Sequence, residues 1–161
     1  MRLKIWRFIT LLLSALVTGM AFCHALELPA KMRYPADLYV TLQNSLYVAF
    51  GPPHIGALIE LAAPVSAIAL AILVPHRRPA LPWTLTAVGF MLLAFPILFF
   101  VFIEPVNTVF RAATPDAVPA NWEQIRRQWE YSHLARFFCH LVAFSALVIS
   151  ALVETPSKQL H

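Results

Sequence analysis

The chain of 161 residues is 60% hydrophobic and 12% charged, with a formal net charge of +4. An ordinary soluble domain carries about 25% charged residues, so this composition argues against a soluble globule and for the lipid bilayer as solvent. Twelve dispersed basic residues argue against a nucleic-acid surface, and two cysteines, Cys23 and Cys139, supply no disulfide framework.

A membrane-spanning helix needs about 20 mostly apolar residues. Four segments meet this within one domain covering 1–161: residues 5–28, 55–74, 81–103 and 134–153. The fold class expected is therefore all-α, an integral membrane four-helix bundle. The first span follows Met1-Arg-Leu-Lys, a start that also describes a secretory signal. However, Cys23-His24-Ala25 offers no convincing small-x-small cleavage site. Between the first two spans, Ala36 to Phe50 carries Tyr39, Gln43 and Tyr47 at helical spacing and is closed by Gly51-Pro52-Pro53. This is an extra helix, lying on the membrane interface or re-entering it. The second span has His54 at its mouth and Glu60 about two turns in. A tight turn over 75–82 leads to the third span, which has no charge. Residues 104–133 begin as a Pro- and Thr-containing loop and become helical near Asn121, a residue suited to an N-cap. The fourth span carries Arg136 and His140 near its start.

Lys and Arg at the span ends set orientation. Arg2, Lys4, Arg7, Arg77, Arg78 and Lys158 fall on one side; Lys31, Arg33, Arg111, Arg126 and Arg127 fall on the other. The clustering in the shortest flanks predicts both termini in the cytoplasm and residence in a plasma or inner membrane. His76 and His161 lie in exposed flanks. Cys23 and Cys139 read as small apolar packing residues.

Ionisable groups inside a membrane are costly and face a bundle interior or a cavity. In an up-and-down bundle, four of the eight acids gather at one end, one per span: Glu27, Glu60, Glu104 and Glu130. The other half reads as plain hydrocarbon. Trp122, Arg126, Trp129, His133, Arg136 and His140 recur at steps of four and three, a single helical stripe. His24, Glu27 and Lys31 share a face, as do Glu104, Asn107 and Arg111.

Three chemistries fit this inventory. The first is structural charge pairing, Arg126 with Glu130 and Glu27 with Lys31 at i, i+4. The second is a transition-metal centre holding iron or zinc. Bundle di-iron proteins use Glu-x-x-His pairs and further glutamates, and His24, Glu27, Glu60, Glu104, Glu130 and His133 supply four carboxylates and two imidazoles. The order His24-x-x-Glu27 is reversed. The third is cofactor-free acid–base catalysis. There His133, with Glu27 or Glu60, takes a proton from a phenolic or activated C–H substrate, Trp122 and Trp129 forming an aromatic wall. A lone histidine such as His140 reads as a hydrogen-bonded residue of the helix interface.

Ala25-Leu-Glu27-Leu-Pro29, Gln43 with Tyr47, Glu104-Pro-Val-Asn107 and Trp122-x3-Arg126-x2-Trp129-x3-His133 resemble the anthrone-oxygenase-like family of small four-helix membrane proteins. The resemblance spans most of the chain. It implies four spans, a polar site at one end and oxidation of anthrones to anthraquinones by molecular oxygen, without a firmly established cofactor. Ser132 stands where that family often has Asn, and Arg136 follows His133 by three residues rather than two. The expectation is an oxygenase- or oxidoreductase-like membrane protein acting on a small hydrophobic aromatic substrate. His133, Glu130, Glu27, His24 and Glu60 would form its catalytic site, with Asn107, Arg126, Trp122, Trp129, Tyr47 and Gln43 binding or orienting. The rival is a non-enzymatic transporter subunit, or a metal- or lipid-handling module.

Overall fold

A computed structural model describes residues 1–74 and 79–154. The expectations on His76, Arg77, Arg78, Lys158 and His161 lie outside the described residues, as does the start of the predicted 75–82 turn. Five helices follow in order: α1 (Arg2–Lys31), α2 (Ala36–Ser45), α3 (Ile55–Leu73), α4 (Leu81–Ala112) and α5 (Trp122–Leu152). All but α2 are long and apolar enough to cross a membrane. The chain is a multi-pass membrane protein with an all-helical bundle fold.

The four long helices form a square, with α1 and α4 each packed against α3 and α5. Lipid is as apolar as a leucine side chain, so association in the bilayer rests on close packing and interhelical hydrogen bonds. Both are present. Ala67, Ala87, Ala143 and Ala146 bring the backbones together, and Leu70, Met91 and Leu147 fill the remaining space. Phe8, Leu26, Leu58 and Ile72 point outward and remain exposed, as lipid-facing side chains.

The terminal half of the bundle is not plain hydrocarbon. Thr10 donates to the Ser66 carbonyl at 3.2 Å, the Thr84 and Ser150 hydroxyls pair at 2.8 Å, and Ser150 also reaches the Ala80 carbonyl at 3.2 Å. Arg7 and Glu154 add an ion pair of 2.6 Å that ties α1 to the end of α5. Cys23 is exposed and Cys139 only partly buried. The expectation that both pack the core is corrected, because each falls off the small-residue seam that α1 and α5 present to their neighbours.

The largest difference from expectation is α4. It does not stop at residue 103 but continues to Ala112, passing through a π-helical stretch at Leu93–Ile103. Pro96 lies inside that stretch. Proline has no N–H for an α-helical ladder, and a widened turn is one way a helix absorbs the break. Pro105 then sits in the first turn of the restarted α-helix, where a missing N–H costs nothing. Likewise, the helix expected near Asn121 and the fourth span are one rod, α5. Asn121 caps it through its backbone carbonyl, which accepts from the Gln124 and Ile125 N–H groups, and not through its side chain.

Helix α2 is shorter than the expected Ala36–Phe50 and leaves Tyr47 in the following turns. It closes the end of the bundle. Tyr39 and Val40 are completely buried against Ile103, Val106, Phe110 and Trp129. Asn44 donates to the carbonyls of Phe110 (2.9 Å) and Ala113 (3.2 Å), satisfying groups that the C-terminus of α4 leaves open.

The 46–54 segment returns so tightly onto α3 that a Cβ on Gly56 would lie 2.4 Å from the Phe50 carbonyl oxygen, whereas one on Gly89 would meet nothing within 4 Å. Gly56→Ala should therefore destabilise the protein by about 1–3 kcal/mol through backbone displacement. Gly89→Ala, in a helix interior, should be neutral or stabilising by up to about 1 kcal/mol. Thermal melting in detergent micelles distinguishes them, and equal behaviour of the two variants would contradict the loop packing.

Candidate functional site

The closed end of the bundle contains a cavity of about 410 Å³. Helix α5 supplies its back wall, because the predicted stripe is real: Arg126, Trp129, His133, Arg136 and His140 are all buried. The centre is a cluster of three mutually tilted rings. The His133 imidazole lies 4.0 Å from the Trp129 ring and 4.1 Å from that of His24, which projects from α1. Trp129 is fixed by its indole N–H, which donates to Asn107 Oδ1 at 2.7 Å. Asn107 in turn donates to Glu104 at 3.1 Å, and Arg111 donates to the other Glu104 oxygen at 2.5 Å.

His133 is 5% exposed, lines the cavity, and has no hydrogen-bond partner on either ring nitrogen. His24 Nδ1 also lacks one, since Glu27 stands 4.0 Å away. A neutral imidazole offers one donor and one acceptor, and a buried polar group without a partner is costly. Two unpartnered imidazoles facing one cavity are groups that a ligand can satisfy. Gln43 Nε2 is likewise unpartnered in the cavity wall.

Every predicted carboxylate has a positive or hydroxyl partner. Lys31 lies between Glu130 (3.2 Å) and Glu27 (3.4 Å), with its ammonium 4.4 Å from the Trp129 ring centroid. Tyr39 donates to Glu130 at 2.9 Å, and Tyr47 donates to Glu27 through a very short bond. Glu60 pairs with Arg136 at 2.8 Å, and the Arg136 Nε–H reaches the Ala94 carbonyl in the π-helical stretch at 3.1 Å. The pair expected between Arg126 and Glu130 does not form. Arg126 instead donates to the carbonyls of Tyr34 (3.0 Å) and Lys31 (3.4 Å) and stacks on Trp122. It thus caps the C-terminus of α1, where the helix dipole favours a cation.

Of the sequence-predicted site residues, His24, His133, Glu60, Glu104, Asn107, Trp129, Tyr47 and Gln43 meet at the cavity. Glu27 and Glu130 lie behind its wall around Lys31, and Arg126 and Trp122 belong to the α1 cap. Of the six proposed metal donors, the four carboxylates are accordingly taken up by three cations, Lys31, Arg111 and Arg136, and the two imidazoles stand apart from them. Among the described residues, no three of His, Cys, Asp and Glu converge as a metal-binding group. The donor set does not fit a di-metal centre, because Lys31, Arg111 and Arg136 already neutralise its carboxylates. His140 is also unlike its expectation: its Nε2 has no partner, and only its backbone carbonyl meets α1, through Thr18 at 3.4 Å.

Phe95, Phe99 and Phe100 line the cavity from the π-helical stretch and were not foreseen as site residues. Their signal was a proline amid four phenylalanines, Phe95, Phe99, Phe100 and Phe102, in an otherwise uninterrupted apolar run. Outside the membrane-spanning helices, burial pushes the phenols of Tyr39 and Tyr47 above the usual tyrosine range, and the neighbouring carboxylates Glu130 and Glu27 reinforce the shift.

No family model matches the chain, and neither a curated protein nor a solved structure matches it.

Two measurements check this electrostatic network. Breaking a buried ion pair by removing one partner costs about 3–5 kcal/mol, so Lys31→Met should strongly lower the melting temperature. Adding Glu130→Gln should recover part of the loss; strict additivity of the two would contradict a shared network. In an alkaline titration, Tyr39→Phe and Tyr47→Phe should leave the phenolate absorbance rise near pH 10 unchanged, because these phenols stay protonated there. The sign for stability follows. The unfolded chain ionises first, so each phenol's contribution is complete below about pH 10 and declines as pH rises beyond it.

Proposed function

We propose that the cavity binds a small, neutral, hydrophobic aromatic molecule and that His133 accepts a proton from its phenolic O–H or activated C–H group. The observation carrying this reading is the His133 imidazole, 5% exposed, in the cavity lining against Trp129 and His24, with no hydrogen-bond partner on either nitrogen. The walls suit such a guest: Phe95, Phe99 and Phe100 offer ring faces, and the polar groups are few and fixed, as in small-molecule sites generally. The charged groups in the lining are paired, Glu60 with Arg136 and Glu104 with Arg111, so an uncharged ligand is favoured over an ion.

Deprotonation makes an electron-rich anion from such a guest. The resemblance to the anthrone-oxygenase-like family supports an oxygenase-like outcome. In a reaction of that type, a ring methylene loses two hydrogens and gains one atom of O2 as a carbonyl, the second atom leaving as water. His24, packed against His133, positions it. The distribution of Lys and Arg favours cytoplasmic termini, which would put this site at the opposite face of a plasma or inner membrane.

A second reading, a non-enzymatic membrane protein whose charges are structural, is favoured by one observation: all four predicted glutamates are committed to Lys31, Arg111 or Arg136. Oxygen uptake by the purified protein with an anthrone separates the two. Turnover should fall about 100-fold or more in His133→Asn, the loss typical of a missing general base, with the melting temperature retained. Binding of the anthrone without oxygen uptake by the wild type would favour the non-enzymatic reading.

A further inference from the structure

We infer that the cavity opens sideways, through a seam between α3 and α4, and takes its ligand directly from the bilayer. This rests on the cavity being a ligand site, as proposed above. Helix α3 packs closely on the Leu81–Leu92 half of α4 and parts from it alongside the π-helical Leu93–Ile103 stretch. That is where the cavity lies. Its lower walls are Ala57 and Glu60 on one side and Phe95, Phe99 and Phe100 on the other. A widened turn displaces a helix from its straight path, and such turns are often found at functional sites. Here the displacement leaves a gap where two apolar helices would otherwise close.

The chemistry along the seam is graded. Residues 93–103 carry no charge, and the first charged group above them is Glu104, paired with Arg111. Across the gap, His54 stands at the upper rim, while Ala57 and the outward-facing Ile55 and Leu58 lie at the start of the hydrocarbon stretch. Phe100, 55% exposed, belongs both to the cavity lining and to the lipid-facing surface. At the top of the bundle, α2 covers the end of α4, with Tyr39 and Val40 fully buried and Asn44 bonded to its carbonyls, and the upper rim is formed by Val48, Pro52 and His54 of the loop that follows. The ligand class is therefore an amphiphilic aromatic that partitions into the bilayer, its apolar body passing Phe100 and its polar group meeting His133.

Stopped-flow binding of 1-naphthol to the full chain in lipid nanodiscs, followed by tryptophan fluorescence, tests this. Ala57→Phe narrows the seam and should slow binding and release together by about tenfold, leaving Kd within about twofold, since a gate alters both rates equally. Phe100→Ala, which widens the lipid-facing rim and also removes a ring face from the site, should quicken association even as affinity weakens. Val48→Phe narrows the upper rim, where Val48 also lines the cavity, and should slow binding far less than Ala57→Phe. Rates that respond to Val48→Phe but not to the seam variants would place the route in water and overturn the inference. Association rates unchanged in both seam variants, with any change in Kd coming through release alone, would make Ala57 and Phe100 mere walls of the site and overturn it equally. Failure of 1-naphthol to bind the wild type would instead remove the reading of the cavity as an aromatic-ligand site, and the portal with it.

Discussion

The closed end of this bundle depends on one buried ammonium. A charge held at 3% exposure must be neutralised where it sits, because transferring it out of water costs several kcal/mol even after relaxation. Lys31 meets that constraint with Glu130 from α5 and Glu27 from its own helix, under the faces of Trp129 and Tyr47. The phenols complete the arrangement: Tyr39 donates to the Glu130 oxygen that Lys31 leaves open, and Tyr47 donates to the Glu27 oxygen that also faces Lys31, which brings α2 and the loop after it down onto the bundle. One cation thereby fixes three segments of the chain, and the plug on the bundle follows from it.

That arrangement keeps the imidazoles free. Each acidic group that could have held His24 or His133 is taken by a cation or a phenol, and the two rings pack against Trp129 in the cavity lining. Asn107 completes the frame by orienting the indole from α4. The same division of partners removes the donors that a metal cluster would need. Lys31, Arg111 and Arg136 are the groups that compete for these carboxylates.

The π-helical part of α4 serves two ends. It presents three phenylalanines to the cavity, and it leaves the Ala94 carbonyl within reach of the Arg136 Nε–H. Arg136 then extends to Glu60 on α3, so the deep end of the cavity is braced by an ion pair at the level where α3 and α4 diverge. Hydroxyl hydrogen bonds and small residues hold the terminal half of the bundle shut. The molecule is firmly packed at one end and hollow at the other.

Much of this was legible in the residues alone. Span number and order follow from apolar run length, because a bilayer fixes how many apolar residues a helix needs. The buried stripe from Trp129 to His140 follows from a period set by helix geometry. The gathering of glutamates at one end follows from counting turns in an alternating bundle. Local patterns could not say which glutamate meets which cation. Arg126 and Glu130 have ideal spacing, yet Arg126 turns to the C-terminus of α1 and Glu130 to Lys31, since pairing across helices depends on rotation and distance that no i, i+4 rule contains. Nor could they show that Pro96 would widen α4 and part it from α3. The sequence by itself determined a membrane bundle with a polar, histidine-bearing end. Only the tertiary structure decided that its carboxylates are spent on cations, that its imidazoles are free, and that a cavity opens beside them.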